Sequence, residues 1–273
     1  MRTIGLPDGG AMPVLGLGTW MMGERKSAAA AELAALKLGL DLGMNFIDTA
    51  EMYGNGGAET IVAAAIAGRR DDVFLVSKVL PHNASRAGTI KACEASLKRL
   101  GTDWLDLYLL HWAGTHPLDD TIEAFEQLKR AGKIRRWGVS NFDLSEMEPL
   151  DGTEIASNQV LYNLARRGIE FDLLPWCRAR GIPVMAYSPI EQGRILGNKA
   201  LVALAKARGC SPAQLALAWV LRQDGVVTIP KASNPAHVRE NRAALDMVLS
   251  EAEGAALDKA FPPPTKPTAL AML

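Results

Sequence analysis

The sequence is poor in the features that mark stapled, metal-bound or nucleic-acid-binding proteins. Only three cysteines, Cys93, Cys177 and Cys210, occur in 273 residues. Their number and spacing fit neither a disulfide framework nor a zinc site, and they read as reduced thiols of a cytoplasmic protein. The four histidines, His82, His111, His116 and His237, include no His-x-His pair. The converging ligands of a metal-dependent barrel hydrolase are therefore missing, and no metal ligand is assigned. Thirty basic residues balance thirty acidic ones, which removes the simplest electrostatic reason for a nucleic-acid or membrane-surface partner. No apolar run approaches a membrane span, and the opening MRTIGLPDGG lacks the apolar core of a secretory leader,. A G-x-G-x-x-G fingerprint is absent too, since Gly16-Leu17-Gly18 runs on into Thr19-Trp20-Met21, which counts against a Rossmann dehydrogenase.

What the chain does contain is a regular alternation. Short apolar runs, Val14–Leu17, Phe46–Ile47, Val73–Val76, Leu105–Leu110, Ile134–Val139, Ile155–Val160, Pro183–Tyr187 and Val226–Ile229, are separated by segments of helical period. Several runs are apolar on both faces, as buried parallel strands are. Ile90, Cys93, Leu97 and Leu100 fall on one helix face, and Ser211-Pro212 reads as an N-cap and first-turn pair ahead of another helix,. Eight strands alternating with about eight helices over this length predict an α/β fold, a single (β/α)₈ TIM barrel filling residues 1–273. A doubly wound sheet fits the same pattern. Asp8-Gly9-Gly10 between short apolar stretches predicts a hairpin ahead of the barrel,, and the Pro-rich tail after Phe261 predicts irregular chain too short for an elaborate lid.

Barrels carry their chemistry at the C-terminal ends of the strands. There the predicted strands deliver Asp48, Lys78, His111, Ser140-Asn141, Gln159, Tyr187-Ser188 and Lys231. Taken singly, Asp48 reads better as a helix cap and His111 as a satisfied core histidine; together they share one rim. With Tyr53 in the loop after Asp48, they form a proton-transfer set. Tyrosine is a weak acid, with a pKa of about 10, and a neighbouring Lys⁺ is expected to lower it. Asp48 is expected to keep that lysine charged, and His111 to hydrogen-bond a carbonyl oxygen.

These residues resemble the aldo-keto reductase family over nearly the whole chain. The resemblance rests on Gly16-Leu17-Gly18-Thr19-Trp20, Asp48-Thr49-Ala50-Glu51-Met52-Tyr53-Gly54, Ser77-Lys78, Leu109-Leu110-His111-Trp112, Gly138-Val139-Ser140-Asn141-Phe142, Gln159, Tyr187-Ser188-Pro189, Ile229-Pro230-Lys231 and Arg239-Glu240-Asn241, in that order. It implies a catalytic tetrad of Asp48, Tyr53, Lys78 and His111, with Tyr53 as general acid and NADPH as hydride donor to small aldehydes or ketones. It also implies that Tyr187 stacks on the nicotinamide while Ser140, Asn141 and Gln159 bond its carboxamide. The loop from Ser188 to Leu196, including Gln192, would follow the pyrophosphate. Gly18, Thr19, Trp20, Asp48 and Asn241 complete the implied cofactor surface, and Lys231, Ser233 and Arg239 face the adenosine end.

That end departs from the family pattern. Ala232 replaces the serine that usually follows the lysine, and His237 stands where an arginine is expected. A neutral imidazole is a weaker phosphate partner than a bidentate guanidinium, so tolerance of NADH is expected beside NADPH. Arg239 reads equally as an exposed helix residue. On the substrate side, Trp20, Met52, Tyr53, His111 and Trp112 are expected to wall a shallow, open pocket, although both tryptophans suit core packing as well. A barrel of this family that binds nicotinamide as a sensor is the competing reading; the intact tetrad speaks against it. The natural substrate, the direction of reaction and the oligomeric state are not legible, and a monomer is compatible with the sequence.

Overall fold

Asp8 and Gly9 turn the chain back on itself, so that β1 (Thr3–Gly5) and β2 (Ala11–Pro13) pair antiparallel as the expected hairpin. The computed structural model describes residues 1–273. After the hairpin come β3 (Leu17–Gly18), α1 (Ala29–Asp41), β4 (Phe46–Asp48), α2 (Gly57–Ile66), β5 (Phe74–Val79), α3 (Arg86–Leu100), β6 (Leu107–Leu110), α4 (Leu118–Arg130) and β7 (Trp137–Ser140). The second half runs α5 (Leu144–Met147), β8 (Asn158–Leu161), α6 (Leu173–Ala179), β9 (Val184–Tyr187), α7 (Lys199–Arg208), α8 (Pro212–Leu221), β10 (Val226–Thr228), α9 (Pro235–Ala244) and α10 (Glu251–Ala260).

Strands β3 to β10 form one parallel sheet in sequence order. Its ends meet: Leu15 bridges Thr228, Gly18 bridges Lys231, and the Gly16 amide donates to the Thr228 carbonyl at 2.8 Å. Closure excludes the doubly wound alternative and gives a (β/α)₈ barrel. It also explains Gly18, because a Cβ there would stand 2.5 Å from the Ile229 carbonyl oxygen. Helix ends follow local chemistry. Ser85 caps α3 and Gly101, at φ +62°, ends it; Ser211 and Gln214 form a reciprocal capping box on α8, with Pro212 in its first turn,.

The strand boundaries shift from the apolar runs by up to three residues, and two of the shifts have a plain structural cause. The first barrel strand is Leu17–Gly18 rather than Val14–Leu17, since residues 14 to 16 are spent on seam contacts with the last strand. Strand β5 runs three residues further than Val76, through Ser77 and Lys78, because its partner β6 supplies the register Ser77 with Tyr108 and Lys78 with Leu109. Extra short helices raise the count to ten. No helix is long and apolar enough to cross a membrane. Beyond α10 the chain is irregular, as expected, yet Met272 and Leu273 come back to the barrel mouth.

Candidate active site

Lys78 is the centre of the site. Alternation along β5 turns its side chain into the barrel, where it is fully buried,. Its ammonium donates to Asp48 Oδ2 at 2.8 Å, to the Thr49 carbonyl at 2.9 Å and to the Tyr53 hydroxyl at 3.3 Å. A buried ion pair is tolerated when its geometry is good and its remaining hydrogen-bonding capacity is met; Gln159 completes it by donating to Asp48 Oδ1 at 2.7 Å. Asp48 is fixed at its backbone as well, its carbonyl accepting from the Thr19 hydroxyl at 2.9 Å.

Tyr53 leaves β4 on a tight loop whose next three residues, Gly54, Asn55 and Gly56, all adopt left-handed backbone. Its ring meets His111 edge-on, with centroids 5.8 Å apart, and His111 in turn lies 4.8 Å from the Trp112 ring. Asp48, Tyr53, Lys78 and His111 thus converge as the sequence predicts. Their electrostatics differ from the expectation in one respect. Burial, and next the Asp48 charge, hold the Tyr53 phenol well above its ordinary pKa rather than below it. Burial pulls Lys78 down, opposed by Asp48 and more distantly by Glu59. Burial, then the Lys78 charge, lowers His111 to about 2, so its imidazole is neutral; Nδ1 is enclosed without a partner.

A cavity of about 300 Å³ opens above this group. Trp20, Met52, Tyr53, His111 and Trp112 wall it as expected, with Met272 and Leu273 added from the tail. The tail therefore narrows a pocket that the sequence reading left shallow and open; nothing in the composition of residues 262 to 273 announces this return. Ser140, Asn141, Gln159, Tyr187, Ser188 and Gln192 form the other side. They are cross-linked: Ser140 Oγ donates to the Gln159 carbonyl at 2.9 Å, Asn141 Nδ2 to the His111 carbonyl at 3.1 Å, and the Tyr187 hydroxyl to Asn141 Oδ1 at 2.9 Å. A larger groove of about 870 Å³ between the tail and the loops after β7 and β8 touches none of Asp48, Tyr53, Lys78 and His111. Chemistry, not size, marks the smaller cavity as the site.

The loop after β9 has a feature that sequence reasoning missed. Ser188, Glu191 and Gln192 all have positive φ without being glycine, a conformation held by its surroundings. Glu191 is buried and accepts from Asn163 at 2.8 Å, from Arg166 at 2.9 Å and from Arg194 at 3.1 Å; those donors hold its carboxyl below the usual range against the opposing effect of burial. Left-handed residues beside right-handed ones turn peptide N–H groups into anion-cradling concavities. With the half-buried Tyr187 ring beside it, this loop fits a dinucleotide better than a compact ligand. Farther round the rim, Lys231 follows β10 with Nζ 3.5 Å from Ser233 Oγ, Arg239 is exposed on α9, and Asn241 is buried on the same helix.

A family model described as the aldo/keto reductase family matches residues 14–261. Among curated proteins, the chain is 53% identical over 272 residues to methylglyoxal reductase YeaE of Escherichia coli (strain K12), covering 96% of each chain. It is 38% identical over 252 residues to glyoxal reductase of Bacillus subtilis (strain 168), covering 91% of this chain and 89% of that one. Among solved structures it superposes on an aldo/keto reductase from Klebsiella pneumoniae in complex with NADP and acetate. That match has a TM-score of 0.97 at 52% identity and covers 100% of this chain and 99% of the other. An aldo-keto reductase from the same organism in complex with NADPH gives a TM-score of 0.96 at 53% identity, with the same coverage.

Proposed function

The chain belongs to the aldo/keto reductase family, and on that premise we propose that it reduces small uncharged aldehydes and dicarbonyls with NADPH, Tyr53 giving the proton. It is an NADP-dependent oxidoreductase of carbonyl compounds, the class of its relatives. The observation that carries the residue roles is the unbroken chain of contacts from Gln159 through Asp48 and Lys78 to the Tyr53 hydroxyl at the floor of the cavity.

NADPH, when bound, supplies the hydride that the carbonyl carbon receives. Ser140, Asn141, Gln159 and Tyr187 would hold its nicotinamide end, Ser188 and Gln192 its middle, and Lys231, Ser233, Arg239 and Asn241 its adenosine end, with Gly18, Thr19 and Trp20 beside them. Tyr53 keeps its proton at every ordinary pH because burial disfavours tyrosinate,. As negative charge develops on the carbonyl oxygen, that oxygen becomes the stronger base and takes the Tyr53 proton. Lys78, 3.3 Å from the phenol oxygen, stabilises the tyrosinate left behind,. Neutral His111 offers Nε2–H to the same carbonyl oxygen and so fixes its position, its other nitrogen being buried.

No Arg or Lys side chain lines the substrate cavity, which disfavours carboxylate-bearing carbonyls and suits neutral ones. The activities named for the two curated relatives, on methylglyoxal and glyoxal, agree with that chemistry. We place the enzyme in the cytoplasm, with carbonyl reduction as its direction. The test is NADPH consumption with methylglyoxal for the native chain and Tyr53→Phe. Native turnover that falls at least a hundredfold in the variant supports the acid role, a loss within the usual range for general acids. Cofactor binding without turnover on any carbonyl supports the sensor reading instead.

A further inference from the structure

Behind the tetrad, on the outer face of β5, lies a second buried ionic group that the proton relay does not include. Glu59, in the first turn of α2, is completely buried. Its Oε1 accepts from the Ser77 hydroxyl at 2.6 Å and its Oε2 from Arg99 Nε at 2.5 Å. Arg99, on α3, also donates to Ser96 Oγ at 3.0 Å. Ser77 immediately precedes Lys78, so the strand presents the hydroxyl outward to Glu59 and the ammonium inward to Asp48,.

The same group reaches the segment that carries the acid. Only Gly54, Asn55 and Gly56 connect Tyr53 to α2, all three in left-handed conformation. Arg99 lies directly against the last of them: a Cβ on Gly56, at φ +86°, would stand 2.5 Å from Arg99 Cδ. Glu59 therefore joins α2, β5 and α3 at the point where the Tyr53 loop enters α2. The 3.3 Å separation between the Tyr53 hydroxyl and Lys78 Nζ is spanned by two chain segments, and Glu59 is bonded to one and begins the helix that continues the other.

Resting on the proton-relay reading above, we infer that Glu59 is a positioning residue for reduction, locking the Lys78 strand to the Tyr53 loop and holding a negative charge behind the Lys78 ammonium. Lys78 is faced by Asp48 from β4, by Tyr53 from the loop, by His111 just after β6 and, through its own strand, by Glu59 from α2. Glu59 is faced in turn by Arg99 and Cys93 from α3, Ser77 from β5 and Tyr108 from β6. Burial depresses the proton affinity of Lys78; Asp48 and Glu59 both raise it.

The experiment compares Glu59→Gln and Ser77→Ala with the native chain and with Tyr53→Phe, reading kcat, KM, NADPH affinity by fluorescence, melting temperature, and the alkaline limb of kcat against pH. Glu59→Gln keeps the shape and an acceptor for Ser77 but removes the charge. It should lower kcat about tenfold, leave KM and NADPH affinity within about twofold, and move the alkaline limb to lower pH by about half a unit or more. Ser77→Ala keeps the Glu59–Arg99 pair and should lower kcat without moving the limb. Glu59→Gln with native kcat, or with reduced kcat and melting temperature on an unmoved limb, overturns the inference. Should Glu59→Gln fail to fold, native kcat in Ser77→Ala overturns it. Tyr53→Phe separates the two levels: its collapse beside an unaffected Glu59→Gln sinks Glu59 alone, whereas native turnover in Tyr53→Phe sinks the relay and this role with it.

Discussion

One carboxylate oxygen of Asp48 accepts a hydrogen bond from the Gln159 amide at 2.7 Å, while the other holds Lys78 at 2.8 Å. Both groups are buried, so neither oxygen has water as an alternative partner. Gln159→Leu leaves one carboxylate oxygen unmet and should cost about 1–3 kcal/mol of stability, measured by urea unfolding at pH 7. Asp48→Asn should cost more, about 3–5 kcal/mol, because it removes the charge opposite a buried ammonium. Equal stability of Gln159→Leu and the native chain would show that the Gln159 bond contributes nothing net.

The four tyrosines, Tyr53, Tyr108, Tyr162 and Tyr187, make the electrostatic account of the acid testable. Burial raises every one of them, Tyr187 to about 12 and the other three well above the ordinary phenol range. An absorbance titration at the tyrosinate band should therefore show no ionisation in the folded protein below about pH 11, followed by a single rise as the chain unfolds. A phenol that titrates near pH 8 and vanishes in Tyr53→Phe would restore the picture in which Lys78 lowers the acid's pKa.

That disagreement shows where sequence reasoning reached its limit. Asp48, Lys78 and His111 were legible because strand period and order put them at one rim, and Tyr53 because of its spacing from Asp48. The fold was legible for the same reason. The degree of burial was not, since it depends on how eight strands close and on a tail whose composition carries no periodic signal. Met272 and Leu273 enter the cavity from residues that read as irregular chain. The Gln159 bond to Asp48 joins residues 111 positions apart, a relation that only barrel closure creates. Glu191 was silent because an acidic loop residue reads as solvated until Asn163, Arg166 and Arg194 are brought around it.

His111 supplies a pH dependence of stability with a definite sign. Its pKa is depressed to about 2 in the fold and returns to about 6.5 in the unfolded chain. The unfolded state therefore binds the extra proton first as pH falls, and the stabilisation present above pH 6.5 is lost progressively between there and pH 2. Between pH 7.5 and pH 5 this amounts to about 2 kcal/mol. The native chain should lose that much more stability over this interval than His111→Gln, read from urea midpoints. Parallel curves for the two proteins would mean that His111 titrates alike in the folded and unfolded states.

If Lys231, Ser233 and Arg239 hold the adenosine end as proposed, coenzyme preference follows from charges that the protein leaves free. Lys231 and Arg239 are exposed and take part in no ion pair, Ala232 lies between Lys231 and Ser233, and His237 is exposed on the first turn of α9. A 2′-phosphate can gain from Lys231 and Arg239, whereas a 2′-hydroxyl cannot, and a charge-assisted hydrogen bond contributes about 1.5–3 kcal/mol. Lys231→Ala should weaken NADPH by roughly tenfold or more while leaving NADH within about twofold. His237→Arg should act in the opposite sense, adding a planar guanidinium at the helix start and raising the NADPH-to-NADH affinity ratio by about tenfold. Fluorescence titration of both coenzymes at two salt concentrations reads the effect, because contacts with an exposed phosphate weaken as ions screen them. Equal losses for the two coenzymes in Lys231→Ala would assign that lysine to the shape of the rim rather than to the phosphate.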